Sequence, residues 1–113
     1  MPLENSKKLS IIIPVFNERN FLSRLFELIK KEFNKSSIEV IFVDDGSTDG
    51  STEIIKKIIK EESYNFSLEH IKLHINSGKG KAIQTGIKNS KGEYILLQDA
   101  DLELDIKDAK EMY

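Results

Sequence analysis

The feature that most constrains this chain is an apolar run that stops abruptly at acidic residues. Residues 94–97 are Tyr, Ile, Leu and Leu, and three carboxylates, Asp99, Asp101 and Glu103, follow within the next six positions. An apolar run of this kind predicts a strand buried on both faces of a sheet. Open parallel sheets bind ligands at the carboxyl ends of their strands, so these acids lie where a ligand is expected.

The three carboxylates predict a bound cation. At close range they would repel one another unless a cation or several hydrogen-bond donors compensated their charge. Ligands that are all oxygen favour Mg²⁺ or Mn²⁺. The alternative is that Asp99 or Asp101 caps a helix beginning near residue 105, while the other acids are solvated. This stretch alone supports both interpretations, and the other loops of the chain decide between them.

Composition and charge exclude several classes of protein. The 113 residues are 39% hydrophobic and 32% charged, which is typical of one globular domain, so residues 1–113 are expected to form a single unit. With 17 basic and 19 acidic residues the net charge is −2, which argues against nucleic acid as a partner. The absence of cysteine excludes disulfides and cysteine nucleophiles and fits a reducing compartment.

Neither a membrane span nor a signal peptide is expected from the sequence. No segment reaches about 18 consecutive apolar residues, and the start of the chain is largely polar. The expected location is the cytoplasm, at the cytoplasmic face of a membrane if further segments follow. Residues 105–113 look like the opening turn of a helix without a C-cap, so the chain is expected to be an N-terminal fragment.

The spacing of apolar residues predicts four strands alternating with three helices. The strands are expected at residues 9–15, 38–43, 68–75 and 94–97, and the helices at residues 19–33, 52–62 and 82–89. Asn17 is the expected N-cap of the first helix. Right-handed crossovers then predict a three-layer α/β/α domain with a mostly parallel sheet. The expected strand order is 3-2-1-4, with strands 2 and 3 stepping one way from strand 1 and strand 4 on its other side. A crevice is expected between strands 1 and 4.

Two further segments receive an ordinary interpretation. His70 and His74 share a strand face with Lys72 and have no third ligand nearby, so they are expected at the surface. Residues 78–81, Gly-Lys-Gly-Lys, have neither the spacing of a phosphate-binding P-loop nor a three-glycine dinucleotide motif. A solvated turn is the preferred interpretation, and a weaker role beside a phosphate stays open.

Polar residues follow three of the predicted strands. In a parallel sheet the loops after strands 1, 2 and 4 meet at one edge. They bring together Phe16, Asn17, Glu18, Asp44, Asp45, Gly46, Asp99, Asp101 and Glu103. Each loop taken singly is explained by helix capping or turn chemistry. Three such loops on one edge favour a ligand site over separate structural roles.

Four ordered motifs carry a resemblance to a known family. They are PVFNE at residues 14–18, VDDGSTDGS at 43–51, NSGKGKA at 76–82 and DADLE at 99–103. In order and spacing they resemble the family 2 glycosyltransferases of the GT-A fold, a Rossmann-like nucleotide-diphospho-sugar transferase fold. The closest similarity is to the polyprenyl-phosphate (dolichyl-phosphate) mannose or glucose synthases. The resemblance covers residues 9–113, which correspond to the donor-binding half of such an enzyme.

The resemblance implies a role for each matching residue. Those expected to contact the nucleobase and ribose are Pro14, Phe16, Glu18, Val43 and Asp45. Those expected to line the diphosphate are Asp99, Ala100 and Asp101, with Asp101 and Glu103 as metal ligands. Two positions depart from the pattern, because Phe16 stands where tyrosine is common and Glu103 where several mannose synthases have glutamine. The nucleobase and the sugar are therefore left open.

The implied activity is transfer of a sugar, with inversion, from a GDP- or UDP-sugar to a polyprenyl phosphate or a glycan. A divalent cation held by Asp101 would stabilise the departing diphosphate. No general base is assigned, and the fragment alone is expected to be inactive and to self-associate. One alternative is a module that binds a nucleotide sugar without transferring it. The other is a phospho-accepting signalling domain, although that class expects paired acids after the first strand, not the second.

Overall fold

The computed structural model describes residues 8–33, 37–61 and 67–99, which contain all seven predicted elements. They are β1 (Leu9–Val15), α1 (Arg19–Glu32), β2 (Ile38–Asp44), α2 (Ser51–Glu61), β3 (Ser67–Lys72), α3 (Lys79–Asn89) and β4 (Tyr94–Leu97). The sheet has the order β3-β2-β1-β4, and each pair of neighbouring strands is parallel. The predicted strand order and strand directions are confirmed.

The larger core lies between the sheet and helices α1 and α2. Side chains alternate along a strand, so every second residue of β1 and β2 faces these helices. This core contains Leu9, Ile11, Ile13, Val15, Leu22, Leu25, Phe26, Ile29, Phe33, Ile38, Val40, Phe42, Ile55 and Ile58. Burying one such aliphatic side chain stabilises the fold by roughly 1.5–3 kcal/mol. The amphipathic patterns of α1 and α2 therefore fix these helices to one face.

Helix α3 covers the opposite face of β1 and β2. Ile12, Ile41, Val43 and Ala82 are buried there. A Cβ built on Gly86 of α3 would lie 2.5 Å from Ile12 Cγ2, so the glycine allows the helix to approach the sheet closely. Helices on both faces of a parallel sheet make the predicted three-layer α/β/α arrangement.

The prediction that β4 is buried on both faces is wrong for the part of the chain that the structure describes. Tyr94 is 58% exposed, Ile95 41% and Leu97 47%, while Leu96 packs against the larger core. The reason is position, because β4 pairs with β1 along one edge and α3 packs over β1 and β2. Over residues 8–33, 37–61 and 67–99, no helix is long and apolar enough to cross a membrane.

The prediction that His70 lies at the surface holds only in part, because the residue is half-buried. His70 pairs in register with Phe42 and so faces α2. Its Nε2 atom is buried there and neither accepts nor donates a hydrogen bond within the described ranges. Burial lowers the pKa of His70 below its usual value; Lys56 and Lys72 act in the same direction and Asp44 opposes them. His74 lies beyond the end of β3 and is exposed, as predicted.

Candidate functional site

A cavity of about 300 Å³ opens at the carboxyl edge of the sheet. It is lined by Pro14, Val15, Phe16, Glu18, Asp45, Asn76, Gly78, Lys79, Ala82 and Asp99. The lining includes residues that follow β1 and β4, where the strand order predicts a crevice, and the start of α3 forms a further wall. Five of the residues expected to bind a ligand line it: Pro14, Phe16, Glu18, Asp45 and Asp99.

Asp45 ties the loop before α3 to the end of β2. The residue is 3% exposed; its Oδ1 accepts a hydrogen bond from the Ser77 N–H at 2.7 Å and its Oδ2 accepts one from the Gly78 N–H at 2.9 Å. Hydrogen bonds from amides to a carboxylate are about twice as strong as those between neutral groups. Gly46 is needed beside it, because its φ is +77° and a Cβ there would lie 2.8 Å from the Asn76 nitrogen. This wall of the cavity is therefore built by Asp45.

Asp44 plays a separate, structural part. It is fully buried on the α2 side of the sheet, where Oδ1 accepts a hydrogen bond from the Ser47 N–H at 2.9 Å and Oδ2 accepts one from the Thr52 hydroxyl. Lys72 Nζ donates to the same Thr52 hydroxyl oxygen at 3.3 Å. Asp44 therefore organises the start of α2 and does not line the cavity.

The prediction that Asn17 caps α1 is wrong. Glu18 occupies the N-cap position, and its carbonyl accepts hydrogen bonds from the N–H groups of Phe21 and Leu22. Asn17 has φ +54°, a left-handed conformation that asparagine tolerates better than most residues. Its side-chain Oδ1 instead accepts a hydrogen bond from the Thr48 N–H at 2.8 Å, in the loop after β2.

Asp49 supplies the cap that Asn17 does not. Its Oδ2 accepts a hydrogen bond from the N–H of Arg19, the first residue of α1, at 3.2 Å. Its Oδ1 accepts hydrogen bonds from both the N–H and the hydroxyl of Ser51, the first residue of α2. Burial opposes ionisation of this carboxyl, but the hydrogen bonds from Ser51 and Arg19 outweigh it and lower the pKa of Asp49.

Residues 79–81 are exposed, as the sequence favours, but they begin α3 and do not form a turn before it. Gly78 is the N-cap of α3, the helix begins at Lys79, and both residues line the cavity. Lys79 Nζ forms an ion pair with Asp99 Oδ1, which joins the start of α3 to the end of β4. The pair of lysines beside two glycines is the feature of the sequence that indicates this part of the site. Glycine disfavours a helix, so the pattern does not predict that the helix begins here.

The remaining predicted site residues differ in where they fall. The Val43 side chain is fully buried beneath α3 and is not part of the cavity lining, so its contact with a nucleobase stays a prediction. Ala100, Asp101 and Glu103 lie outside the described residues. Within residues 8–33, 37–61 and 67–99, no group of three or more His, Cys, Asp or Glu side chains could hold a metal ion.

Comparison with known proteins identifies the family. The family model described as glycosyl transferase family 2 matches residues 10–113. The chain belongs to glycosyl transferase family 2. The dolichyl-phosphate beta-glucosyltransferase of Dictyostelium discoideum is 40% identical over 115 residues, which cover 95% of this chain and 34% of that protein. The enzyme of the same name in Saccharomyces cerevisiae is 37% identical over 100 residues, which cover 82% of this chain and 29% of that protein.

Solved structures support the same fold for this family 2 chain. Staphylococcus aureus TarS 1–349 in complex with UDP has a TM-score of 0.75 and 32% identity, over 92% of this chain and 31% of that one. The mannosyltransferase PcManGT from Pyrobaculum calidifontis, in complex with GDP-Man and Mn²⁺, has a TM-score of 0.81 and 24% identity, over 89% and 29%. The chain spans about a third of the length of these relatives. The predicted GT-A glycosyltransferase fold is confirmed.

Proposed function

We propose that this chain is the donor-binding part of a glycosyltransferase that transfers a sugar from a GDP- or UDP-sugar to a polyprenyl phosphate. The observation that carries the proposal is the cavity, which brings together Pro14, Phe16, Glu18, Asp45 and Asp99 from separate loops. The relatives add support, because two are named dolichyl-phosphate beta-glucosyltransferases and TarS was solved with UDP and with UDP-GlcNAc.

The shape of the cavity suits a nucleoside. Its volume of about 300 Å³ is at the lower end for ligand pockets, which is enough for a base and a ribose. Phe16 is 43% exposed and offers a flat apolar ring on one wall. Asn76 and Glu18 add polar groups that can select a base or a sugar hydroxyl. The nucleoside therefore lies between the loop after β1 and the Asp45 wall.

The start of α3 suits the diphosphate. The N-terminal turn of a helix carries partial positive charge, and Lys79 adds a full charge at the same point. A Cβ built on Gly78 or Gly80 would meet no described atom within 4 Å, so space is open beside this turn. The diphosphate then lies between α3 and the acidic run that begins at Asp99.

A divalent cation fits the same position. Lys79 already compensates the charge of Asp99, so the carboxylates that would hold the cation are the ones that follow Asp99 in the sequence. Asp101 and Glu103 follow in the sequence and would hold Mg²⁺ or Mn²⁺, with Asp99 and Ala100 beside the diphosphate. When bound, the cation neutralises charge on the departing diphosphate.

The chemistry that we propose is a single displacement at the anomeric carbon. An oxygen of the acceptor forms a bond to that carbon, the bond to the diphosphate breaks, and the diphosphate leaves with the electron pair, so the anomeric configuration inverts. A phosphate acceptor is already anionic and needs little help from a base. Both Asp45 oxygens accept hydrogen bonds from amides, so this carboxylate serves to orient groups and not to move a proton.

Isothermal titration tests the proposal directly. The 113-residue chain is titrated with UDP, GDP and their sugar conjugates, each with and without Mn²⁺. Saturable binding of one nucleotide series, strengthened by Mn²⁺, is the expected result. Phe16→Ala should weaken this binding, and Phe21→Ala is the matched control, because Phe21 is equally exposed and does not line the cavity. Absence of binding across the whole series would contradict the proposal.

A further inference from the structure

The loop between β1 and α1 is held against the loop between β2 and α2 by a set of hydrogen bonds that we call the loop clasp. Asn17 N–H donates to Ser47 Oγ at 3.0 Å, Thr48 N–H to Asn17 Oδ1 at 2.8 Å, Glu18 N–H to Ser51 Oγ at 2.9 Å, and Arg19 N–H to Asp49 Oδ2 at 3.2 Å. Arg19 Nη1 also donates to the Asp49 carbonyl at 3.2 Å. Asp49 itself does not line the cavity.

We propose that Asp49 is a positioning residue of the nucleotide site, which acts by holding the β1–α1 loop so that Phe16 and Glu18 face the cavity. This inference rests on the proposed function. Asp49 lies outside the cavity, whereas the two residues that it positions, Phe16 and Glu18, line it.

Asp49 occupies the centre of the loop clasp. The first N–H groups of a helix have no partner within that helix and need an outside acceptor. The Asp49 carboxylate satisfies such groups on two helices, Arg19 at the start of α1 and Ser51 at the start of α2. The Ser51 hydroxyl donates to Asp49 Oδ1 at 2.6 Å and accepts from the Glu18 N–H, so the effect of the carboxylate extends to Glu18.

The β1–α1 loop depends on these outside contacts for its conformation. Asn17 adopts φ +54°, which costs free energy in a residue with a side chain, so an external restraint must hold it. Phe16 is 43% exposed, and its own packing therefore supplies little restraint. The Glu18 backbone is held from outside as well, because its N–H donates to Ser51 Oγ at 2.9 Å. The position of this wall of the cavity is thus set from the β2–α2 loop.

Nucleotide affinity measures the effect of the loop clasp on the site. Asp49→Ala should raise the Kd for the nucleotide that the wild type binds by about tenfold. Asp49→Asn should give a smaller rise, because its amide keeps one oxygen acceptor but presents N–H groups to a donor. Glu53→Gln is the matched control: it removes an exposed acid from the first turn of α2 and should leave Kd within about twofold. Ile58→Val changes the core side of α2 and controls for lost stability, so it too should leave Kd within about twofold.

Amide hydrogen exchange measures the loop itself without a ligand. In Asp49→Ala the N–H groups of Asn17, Glu18 and Arg19 should exchange faster, while that of Ile12 in the middle of β1 stays protected. Unchanged exchange at these loop amides would overturn the proposal alone, as would faster exchange with an unchanged Kd. If the wild type binds no nucleotide, the proposed function and the role of Asp49 in nucleotide binding both fail, and exchange still decides whether Asp49 holds the loop.

Discussion

Asp44 and Asp45 are neighbours in the chain, yet their side chains lie on opposite faces of the sheet. Asp44 faces α2 and bonds to Thr52, whereas Asp45 faces the cavity and holds the loop before α3. The alternation of side chains along a strand produces this division. Both carboxylates are buried with hydrogen-bond donors around them, which is the condition under which a buried acid is tolerated.

Asn17 gives a prediction that separates its observed role from helix capping. Serine caps a helix about as well as asparagine, so Asn17→Ser would be nearly neutral if Asn17 were the N-cap. In the structure Asn17 has a left-handed backbone conformation and its side chain accepts a hydrogen bond from the Thr48 N–H. Serine adopts that conformation less readily, and it replaces the amide acceptor less well. We expect Asn17→Ser to lower the free energy of unfolding by about 1–2 kcal/mol in urea denaturation. A variant as stable as the wild type would restore the capping interpretation.

His70 gives a prediction about pH. The pKa of His70 is lowered in the folded chain. At a pH just below the ordinary pKa of 6.5, the histidine is therefore protonated in the unfolded chain but still neutral in the folded chain. This contribution to stability is present at neutral pH and is lost as the pH falls through 6.5 towards the lowered pKa. The fall in unfolding free energy over this range should shrink in His70→Leu but persist in His74→Leu, where the histidine is exposed. Equal pH profiles for the wild type and His70→Leu would contradict the assignment.

At the scale of the elements, two glycines of α3 should respond in opposite ways to alanine. Alanine favours a helix over glycine by up to about 1 kcal/mol. A Cβ on Gly86 would lie 2.5 Å from Ile12 Cγ2 and 3.2 Å from Val43 Cγ2, whereas one on Gly80 meets nothing described within 4 Å. Gly80→Ala should therefore raise the thermal midpoint and Gly86→Ala should lower it. A gain in both variants would show that α3 can move away from the sheet without cost.

The sequence predicts the elements well because each one has a strong apolar pattern. The stripe of α1 and the runs of β1 and β2 determine which faces are buried, and the alternation of strands with helices predicts parallel strands joined by right-handed crossovers. Pattern alone does not determine what lies beside an element. The apolar run of β4 predicts burial on both faces, although β4 is an edge strand among the described residues. The alternation in β3 predicts that His70 is exposed, although α2 covers its face of the sheet and its Nε2 atom is buried.

The site was predictable where a strand end fixes it, and less so where loops contact one another. Phe16, Asp45 and Asp99 lie within two residues of the ends of parallel strands, so topology places them at one edge. Lys79 lines the same cavity from the start of α3. Glycines on both sides of Lys79 kept the sequence from predicting that the helix begins there. Asp49 acts through contacts between two loops, which residue spacing does not encode.

At the scale of the whole molecule, Asp101 should determine how stability responds to metal. A nucleotide with Mn²⁺ at about 100 times its Kd adds roughly 2.7 kcal/mol to the stability of the wild type, which is a rise of several degrees in Tm. Asp101→Asn should abolish most of this gain while leaving the ligand-free chain as stable or more stable, since it relieves repulsion within the acidic run. A full metal-dependent shift in Asp101→Asn would remove the metal role from Asp101.

The measurement that tests the central claim most directly is the broadening of amide NMR signals by Mn²⁺ in the presence of nucleotide. Mn²⁺ is paramagnetic and broadens signals in a manner that falls steeply with distance. If the cavity is the donor site, the amides of Gly78, Lys79 and Asp99 should broaden, and those of Lys8 and Gly92 at the opposite edge of the sheet should stay sharp. Broadening centred on that opposite edge, or on His70, would contradict the account.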